Sequence, residues 1–479
     1  MKKLLLGSLL LSTSLFTFCN AQFTVLHEFN DTTGKAPEGS LILSGNILYG
    51  MTSDGGATSN GNIFSMNING SGFTDLHDFT GADGDYPDAD LTYAAGVLYG
   101  MTPDGGANHY GNIFSIKANG TGFKDLLDFN GTSTPFGKYP QGSFLLIRKV
   151  LYALASGGGA SGNGCIFSID TNGSGYRDIY DFNGTTGAQP AGSLTFSNGK
   201  FYGTTYYGGT LNDGIVFSID TDGNNYKVLH QFDNTYGEDP IGTLVLSGKV
   251  LYGMTRLGGA NAYGIVFSID SNGNNFKDLL DFNINNGEYP LGSLIYASGN
   301  LFGMTSLGGV SYLSGCMFSI DTNGTNYTHY FDLYSTNGAD PHGSLLLSGN
   351  TFYGMTYDGG NVNLGTGPGT IFGYKDVGLG VNKLTAVTGK INVYPNPCNG
   401  IFTIQLSAAS AHADESFGQG RWSVEVYNVL GTQVYSRYQI IQSSNYQIDL
   451  SSQPAGIYFY RITAENGSLL GEGKVVIEK

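Results

Sequence analysis

A block of about fifty residues repeats through most of this chain and constrains its fold more than any other feature. The block is clearest in residues 240–282, which read PIGTLVLSGKVLYGMTRLGGANAYGIVFSIDSNGNNFKDLLDF. Its landmark aromatic residue recurs at steps of 50, 53, 50, 50, 50 and 51 residues. These landmarks are Tyr49, Tyr99, Tyr152, Tyr202, Tyr252, Phe302 and Tyr353. A period of roughly 40–50 residues with short strands is typical of a β-propeller.

Each block divides into four strand signals separated by turn residues. We predict strand a over residues such as Ser40–Gly45, strand b over Leu48–Thr52, strand c over Ile166–Asp170 and strand d over Leu126–Phe129. The chain has 75 Gly among 479 residues, and no long segment of the repeat region has helical periodicity. The repeat region is therefore predicted to be all-β.

The count of strand signals predicts how the repeats are arranged. Strands a, b and c each occur seven times, but strand d follows only the first six copies. A seventh copy of strand d stands alone near the N-terminus, at Val25–Phe29. We therefore predict a seven-bladed β-propeller in which this N-terminal strand pairs with Ile371–Tyr374, because closing the ring removes unpaired edges. The alternative is a kelch-like or solenoid stack, which has no need of a displaced strand.

The lengths of the connections predict which face of the ring carries function. Longer connections occur between strands d and a at Phe129–Pro140 and Phe331–Pro341, and between strands b and c at Gly309–Phe318 and Gly360–Phe372. In an up-and-down blade these two kinds of connection emerge on the same side. We expect that side to be the binding surface.

The N-terminus and the charge indicate an exported protein. Met1-Lys2-Lys3, an apolar run and Ala21 predict a signal peptide over residues 1–21, too short to span a membrane. The formal net charge of −16 argues against nucleic-acid partners, which require clustered Lys and Arg. Cys165 and Cys316 occupy equivalent repeat positions in distant copies and are expected to be small buried hydrophobes.

The start of strand a supplies the first candidate site. In a propeller this strand lines the central channel, so one polar residue from each repeat should lie in a ring at its mouth. Asp90, with Asp88 nearby, would there anchor a cation or a ligand hydroxyl, whereas the alternative is ordinary hydrogen bonding at strand starts. The ring comprises Ser40, Asp90, Ser143, Ser193, Thr243, Ser293 and Ser344.

Tyrosines in or beside the longer loops supply the second candidate site. Exposed aromatic rings among Asn, Ser and Asp suit sugars or protein partners, and the alternative is packing between blades. The candidate ligand-binding tyrosines are Tyr86, Tyr139, Tyr206, Tyr207 and Tyr289, with Tyr110, Tyr263 and Tyr312 beside them.

Catalytic and metal-binding motifs are missing from the sequence. The chain has no G-x-S-x-G, H-E-x-x-H or P-loop pattern, and we expect neither a metal nor a cofactor. The D-x-[ND]-G runs, such as Asp170–Gly173, lack the calcium-loop spacing and indicate hairpin turns. Glycoside cleavage needs two facing carboxylates. The acidic candidates are Glu38, Asp83, Asp85, Asp88, Asp90, Glu238, Asp239, Glu288 and Asp340.

The sequence pattern of the chain changes after a polar linker predicted at residues 379–390. Residues 391–479 contain alternating strands with Gly and Pro turns, which predict a small β-sandwich. The segment resembles the type A sorting domain of type IX secretion substrates. The matching residues include Tyr394, Pro395, Asn396, Pro397, Gly400 and Gly456. This resemblance implies Gram-negative export by the type IX machinery, followed by removal of the domain and release or surface attachment.

The repeats over Leu41–Phe372 resemble those of secreted GloVer-type tandem-repeat proteins, which implies a ring fold without an activity. We therefore expect residues 22–378 to form a secreted or cell-surface binding or scaffold propeller with a glycan or protein ligand. The alternative is a polysaccharide-degrading hydrolase or lyase with its site at the propeller mouth. No catalytic residue can be assigned from the sequence.

Overall fold

The computed structural model describes residues 22–131, 137–311, 313–360, 367–375, 391–406, 421–428, 433–441, 445–464 and 469–479. All regular secondary structure in these ranges consists of β-strands. Seven four-stranded antiparallel sheets lie between residues 22 and 375, and two further sheets lie between residues 391 and 479 of the described chain. The protein is therefore all-β and propeller-like, as the repeat predicted.

The seven repeat sheets are numbered here in chain order. Sheet 1 contains β2 (Ile42–Ser44), β3 (Ile47–Thr52), β4 (Asn62–Asn67) and β5 (Thr74–Asp78), and sheet 2 contains β6 (Thr92–Ala94), β7 (Val97–Thr102), β8 (Asn112–Lys117) and β9 (Lys124–Asp128). Sheet 3 contains β10 (Gly137–Ile147), β11 (Val150–Gly158), β12 (Cys165–Asp170) and β13 (Arg177–Asp181), and sheet 4 contains β14 (Ala188–Ser197), β15 (Lys200–Tyr207), β16 (Ile215–Asp220) and β17 (Lys227–Gln231). Sheet 5 contains β18 (Val245–Ser247), β19 (Val250–Thr255), β20 (Ile265–Asp270) and β21 (Lys277–Asp281), and sheet 6 contains β22 (Ile295–Ala297), β23 (Asn300–Thr305), β24 (Cys316–Asp321) and β25 (Thr328–Asp332). Sheet 7 contains β26 (Leu346–Ser348), β27 (Thr351–Thr356), β28 (Thr370–Lys375) and β1 (Gln22–Glu28).

Strand a differs in length from the prediction. It spans three residues in five sheets, but 11 residues in β10 and 10 in β14. The pairing between β10 and β11 continues past a bulge, from Leu145 to Gln141. In sheet 1 the corresponding pairing beyond strand a is reduced to an isolated bridge between Lys35 and Asp54. A bulge bends the chain and redirects side chains, and here it falls on the P-x-G-[ST] segment.

The N-terminal strand pairs with the last strand of the repeat region. β1 lies antiparallel to β28, with Val25 opposite Phe372 and His27 opposite Ile371. The ring of Phe23 also stacks on Phe372, with 5.2 Å between centroids. The predicted pairing of these two segments is thus present.

Apolar clusters fill the spaces between consecutive sheets. One cluster joins Tyr49 and Met51 of sheet 1 to Leu98 and Phe114 of sheet 2. Because each sheet is covered on both faces, strands b and c are apolar along nearly their whole length, and alternation between apolar and polar residues is weak. Full burial of each large side chain contributes about 1.5–3 kcal/mol.

A corresponding cluster joins sheet 7 to sheet 1. Phe29, Leu48 and Phe64 pack there with Tyr353 and Ile371. The ends of the repeat region therefore share one core.

The two C-terminal sheets share one buried cluster of their own. The first contains β29 (Ile391–Tyr394), β30 (Ile401–Leu406) and β33 (Asn445–Asp449). The second contains β31 (Arg421–Asn428), β32 (Gln433–Ile441), β34 (Gly456–Ala464) and β35 (Leu469–Ile477). Phe402 and Ile404 of the first sheet pack with Val424 and Val426 of the second, as in a β-sandwich. The predicted linker at residues 379–390 and the signal peptide lie outside the described residues.

Candidate functional site

Hydrogen bonds join the seven polar residues predicted to lie at the start of strand a. The backbone N–H of Ser193 donates to Oγ1 of Thr243 at 2.8 Å, and that of Thr243 donates to Oγ of Ser293 at 2.8 Å. The same bond recurs from Ser143 to Ser193, from Ser293 to Ser344 and from Ser344 to Ser40. The alternative that we gave for these residues, hydrogen bonding at strand starts, thus operates here between neighbouring sheets.

Asp90 replaces the hydroxyl residue in sheet 2 and completes the series. Its Oδ1 accepts the backbone N–H of Ser40 at 2.5 Å, and its Oδ2 accepts the hydroxyl of Ser143 at 3.2 Å. One carboxylate therefore serves both adjoining sheets. We call the seven residues joined by these bonds, from Ser40 to Ser344, the polar ring.

The Gly of the P-x-G-[ST] motif lets the neighbouring segments approach closely. A Cβ atom on Gly192 would lie 2.6 Å from the backbone oxygen of Ile241, and one on Gly242 would lie 2.6 Å from that of Gly292. Real Cβ atoms essentially never make such contacts, and the obstacle is backbone. The Gly is therefore needed for space at this position.

The P-x-G-[ST] segments of the seven repeats surround a cavity of about 230 Å³. The x position contributes a different residue from each repeat. We call these seven the x-residues: Glu38, Asp88, Gln141, Ala191, Ile241, Leu291 and His342. Of these, sequence reasoning named only Glu38 and Asp88. The x position varies between repeats although the positions beside it are nearly constant, and this variability is the sequence signal that indicates the other five residues.

Asp88 carries an unsatisfied carboxyl oxygen at this cavity. The residue stays partly accessible, but its Oδ1 has no contact with solvent and no hydrogen-bond partner among the described residues. Burial, and then the nearby carboxylates of Glu38, Asp104 and Asp90, raise the pKa of Asp88 to about 8. Burial and neighbouring negative charge thus favour the protonated form of this carboxyl group.

His342 adds a positive charge on the other side of Glu38. Its Nε2 lies 3.3 Å from Oδ2 of Asp340, and its Nδ1 lies 3.8 Å from Oε2 of Glu38. Burial lowers the pKa of His342, but the hydrogen bonds and charges of these two carboxylates outweigh it and raise the pKa to about 9. The ring of His342 stacks on Tyr357 with centroids 4.5 Å apart. An imidazolium is thus held at the cavity.

The predicted tyrosines lie outside the cavity lining. Tyr86, Tyr139 and Tyr289 each precede the repeat Pro and have positive φ angles of 57°, 55° and 53°. Tyr86 is 39% exposed, and burial followed by a hydrogen bond to Glu38 raises its pKa. Tyr139 packs edge-on against Tyr110, and Tyr289 packs edge-on against Tyr263. Tyr312 lies outside the described residues.

Tyr206 and Tyr207 belong to a separate polar cluster in sheets 4 and 5. Their rings meet edge-on with centroids 4.4 Å apart. Arg256 lies 5.5 Å from the centre of the Tyr206 ring and bonds Oδ2 of the buried Asp239 at 2.8 Å. This cluster does not line the cavity.

The remaining acidic candidates also lie away from the cavity lining. Asp83 bonds His77 at 3.1 Å, and Glu238 accepts a bond from Asn234 at 3.1 Å. Among the described residues, no three His, Cys, Asp or Glu side chains are grouped so that they could hold a metal ion. All three described cysteines are free and buried.

The sorting-motif residues hold together the ends of the C-terminal domain. Asn396 donates from Nδ2 to the backbone oxygen of Lys474 at 2.9 Å and accepts the N–H of Val476 at Oδ1, also at 2.9 Å. Gly400 has φ 104°, and a Cβ there would meet the backbone of Ser451 at 2.7 Å. Gly456 begins β34. Through the hydrogen bonds of Asn396, the motif therefore connects the start of this domain to its last strand.

The solved structures that match this chain come from several functional classes. The extracellular domain of a candidate one-component system from B. thetaiotaomicron has a TM-score of 0.49 and 11% identity, over 96% of this chain and 58% of that chain. A fungal alcohol oxidase in complex with copper has a TM-score of 0.47 and 12% identity, over 96% and 99%. The polysaccharide lyase Uly1 has a TM-score of 0.46 and 11% identity, over 72% and 91%. The chain spans less than two thirds of the first of these, and likenesses this distant say nothing about chemistry. No curated protein matches the sequence.

Two family models match the chain and together cover most of it. The secretion system C-terminal sorting domain matches residues 392–478, which marks the protein for secretion or surface attachment by the type IX system. Within the described ranges, no helix is long and apolar enough to cross a membrane. The Gloeobacter/Verrucomicrobia repeat matches residues 12–210 and 140–372, more than half of the chain. The protein therefore belongs to the Gloeobacter/Verrucomicrobia repeat family and ends in a type IX sorting domain.

Proposed function

We propose that this protein is a secreted or cell-surface binding module whose central cavity takes a glycan. Residues 1–21 act as a signal peptide in a Gram-negative cell, and residues 22–378 form a seven-bladed β-propeller closed by β1. Residues 379–390 link it to the sorting domain at 391–479, which is removed after export. The pairing of β1 with β28, the continuous polar ring and the core shared by sheets 7 and 1 support the closed ring.

The proposal depends on the separation of polar from apolar side chains among the x-residues. Asp88, Gln141 and Glu38 are polar and adjoin one another along the polar ring, whereas Ile241 and Leu291 are apolar and lie across from them. A sugar ring presents hydroxyl groups at its edge and an apolar surface of C–H groups. Ligand sites commonly combine apolar walls with a few placed polar groups.

The loop tyrosines would contact the remainder of the glycan. Tyr86 adjoins Glu38, and Tyr139 and Tyr289 hold the same position in sheets 3 and 6. Tyr206 and Tyr207 lie next to Arg256 on sheet 4. Aromatic rings supply apolar area together with a hydroxyl group, which suits saccharide contacts.

A glycan array and a reducing-sugar release assay on the full chain test this function. We expect binding without turnover, weakened at least tenfold by Asp88→Asn and by Asp90→Asn, which alter the cavity lining. Glu288→Gln is the matched control because it makes the same carboxyl-to-amide change at a residue outside the cavity lining. A silent array together with adhesion to cells would contradict glycan binding and indicate a protein ligand.

One observation favours a second function, a polysaccharide-degrading enzyme. Asp88 is a carboxyl group kept protonated near neutral pH, as a general acid must be. Release of reducing ends that is lost in Asp88→Asn would support this enzyme and overturn the binding module.

A further inference from the structure

Four exposed aliphatic side chains lie together in the loops around sheet 6. Val310 and Leu313, which are 63% and 53% exposed, belong to the longer connection between β23 and β24, and Leu307 lies at the start of that connection. Ile284 lies in the loop between β21 and β22. We call these four residues the aliphatic patch. None of them lines the cavity, so the patch is a separate surface.

Backbone contacts hold the segments of the aliphatic patch against one another. The N–H of Gly309, beside Val310, donates to the backbone oxygen of Ile284 at 2.8 Å. Gly308 forms a bridge with Ser314, and the residue before each of these two belongs to the patch. The four side chains therefore extend from one ordered group of loops.

Most other repeats place small or polar residues at these positions. Val310 follows the G-G pair, where the first, second, third and fifth repeats have Ala and the fourth has Thr210. Ile284 corresponds to Asn234, and Leu313 corresponds to Asn212. The repeat fold therefore forms without these aliphatic side chains. Single exposed apolar residues are ordinary, but a group of them marks an interaction surface.

Leu313 occupies a backbone conformation that disfavours leucine. Its φ is 57°, in the left-handed region where the Cβ atom lies too close to neighbouring backbone. Asn tolerates this region better, and Asn212 occupies it in sheet 4 with φ 69°. Leucine is thus unfavourable at this position both in backbone conformation and in exposure, so the fold alone gives no reason for it.

The aliphatic patch has a negative charge beside it. Glu288 and Leu307 lie opposite each other in an antiparallel bridge, so their side chains are on the same face. Residues 278–374 contain no Lys or Arg, and the two histidines of this stretch, His329 and His342, already lie against other carboxylates. Burial raises the pKa of Glu288, and no cation of the described chain acts to lower it.

Size and charge decide between the possible occupants of the patch. Two copies of this chain would bring Glu288 of each against the same acidic loops, and a stable interface buries about 800 Å² on each partner, more than four aliphatic side chains offer. A surface of anionic lipid is repelled by the same charge. A saccharide suits aromatic rings better than branched aliphatic side chains.

We propose that the aliphatic patch binds a protein partner through one short segment, which presents aliphatic side chains to the patch and a Lys or Arg to Glu288. This interaction is separate from the glycan site and goes beyond it. Burial of the aliphatic groups supplies the affinity, and the pairing of charges fixes the orientation of the segment.

Two short fluorescent peptides test this inference on the full chain. One has an amphipathic pattern of Leu and Lys, and the other has Glu in place of every Lys. Fluorescence anisotropy measures their binding at about 0.15 M salt, which screens long-range attraction to an acidic protein. We expect the Leu–Lys peptide to bind at least tenfold more tightly than the Leu–Glu peptide.

A triple variant, Ile284→Asn with Val310→Thr and Leu313→Asn, removes most of the patch. Each new residue already occupies the equivalent position in the fourth repeat, so the variant should fold with at least the wild-type melting temperature. We expect it to bind the Leu–Lys peptide at least tenfold more weakly. The matched control is Leu211→Ser, which removes a leucine that is 60% exposed in a loop of sheet 4 and should leave binding unchanged.

Glu288→Gln separates the charge from the apolar contacts. It should weaken the Leu–Lys peptide several-fold and leave glycan binding as it is. Equal binding of both peptides to the wild type would overturn the role of Glu288.

Equal binding of the Leu–Lys peptide to the wild type and the triple variant, or to neither, would overturn the inference as a whole. Sedimentation equilibrium tests the other occupant: a wild-type dimer that the triple variant dissociates would assign the patch to a second copy and overturn the partner segment. Glycan binding is measured separately, so its failure would contradict the proposed function without affecting this result.

Discussion

The backbone N–H of Ser344 donates a hydrogen bond of 2.8 Å to Oγ of Ser40, across 304 residues of sequence. This bond joins sheet 7 to sheet 1 in the same way as the bonds that join sheets 3 to 4, 4 to 5, 5 to 6 and 6 to 7. The first and last repeats are thus joined like these four pairs of consecutive repeats. Several measurable consequences concern this junction.

Removal of the Ser40 hydroxyl should weaken the junction. In Ser40→Ala the partly buried N–H of Ser344 loses its acceptor, and we expect a loss of about 1–3 kcal/mol in the free energy of unfolding. Ser40→Thr is the matched control, because Thr243 fills the equivalent position. Denaturant unfolding measures both variants. Wild-type stability in Ser40→Ala would contradict the role of this bond.

Deletion of Gln22–Phe29 should destabilise the repeat region by several kcal/mol. The deletion exposes the edge of β28 and removes Phe29, which is buried against Phe64 with 5.4 Å between centroids. A synthetic peptide of these eight residues should restore the melting temperature, whereas the same peptide with Phe29→Ala should restore it less. An unchanged melting temperature after the deletion would show that β1 does not hold the sheets together.

Gly343→Ala tests the close approach of neighbouring segments at the same junction. A Cβ on Gly343 would overlap the backbone oxygen of Gly39. Because backbone must move to relieve that overlap, we expect a loss of about 3 kcal/mol. Gly248→Ala is a useful control: it has φ 62° and open space around it, so only its backbone conformation should cost about 1 kcal/mol. Equal losses in the two variants would argue against close packing at Gly343.

Stability should fall as pH rises because carboxyl groups are paired on strand d. The bulge in β13 pairs Asp178 with Phe167 and Asp181 with Cys165, which brings the two aspartates onto the same face. Burial, and then the charge of Asp181, raise the pKa of Asp178 from 3.8 to about 7. Between these pH values the folded state binds a proton that the unfolded state has lost, so the free energy of unfolding decreases as pH rises.

Asp178→Asn should remove this dependence, because the amide keeps a donor for Asp181 and cannot ionise. The melting temperature of the variant relative to the wild type should therefore increase between pH 4 and pH 8. Asp31→Asn, at a side chain that is 91% exposed, should show no such trend. A constant difference for Asp178→Asn across this pH range would contradict the raised pKa of Asp178.

The number and spacing of the strand signals predict which strands pair, but they do not predict the length of strand a. The P-x-G-[ST] segment was expected to begin that strand at Ser40, whereas β2 begins at Ile42. In sheet 1 the outer pairing of this segment is reduced to the bridge between Lys35 and Asp54, and whether that pairing forms a strand depends on how the backbone fits its neighbours. Strand d also differs from its predicted bounds of Leu126–Phe129, since β9 spans Lys124–Asp128 and Phe129 follows it in the core.

The candidate site was predictable only in part. The polar ring follows from repeat register, since equivalent positions occupy equivalent places. Residue type and a position in a loop predict the tyrosines as ligand contacts, but Tyr139 and Tyr289 pack against other tyrosines instead of facing the cavity. His342 and Leu291 were not predicted, because their residue types indicate no shared role until the fold brings the variable position of each motif to one cavity.

The sequence alone determined the period, the all-β character, the displaced strand and the sorting domain, because each depends on spacing and on residue type along the chain. Only the tertiary structure decided which side chains converge. Residues fifty or more positions apart meet at the cavity through packing between sheets, and the raised pKa of Asp88 depends on burial and on the charge of Glu38, both of which arise only on folding.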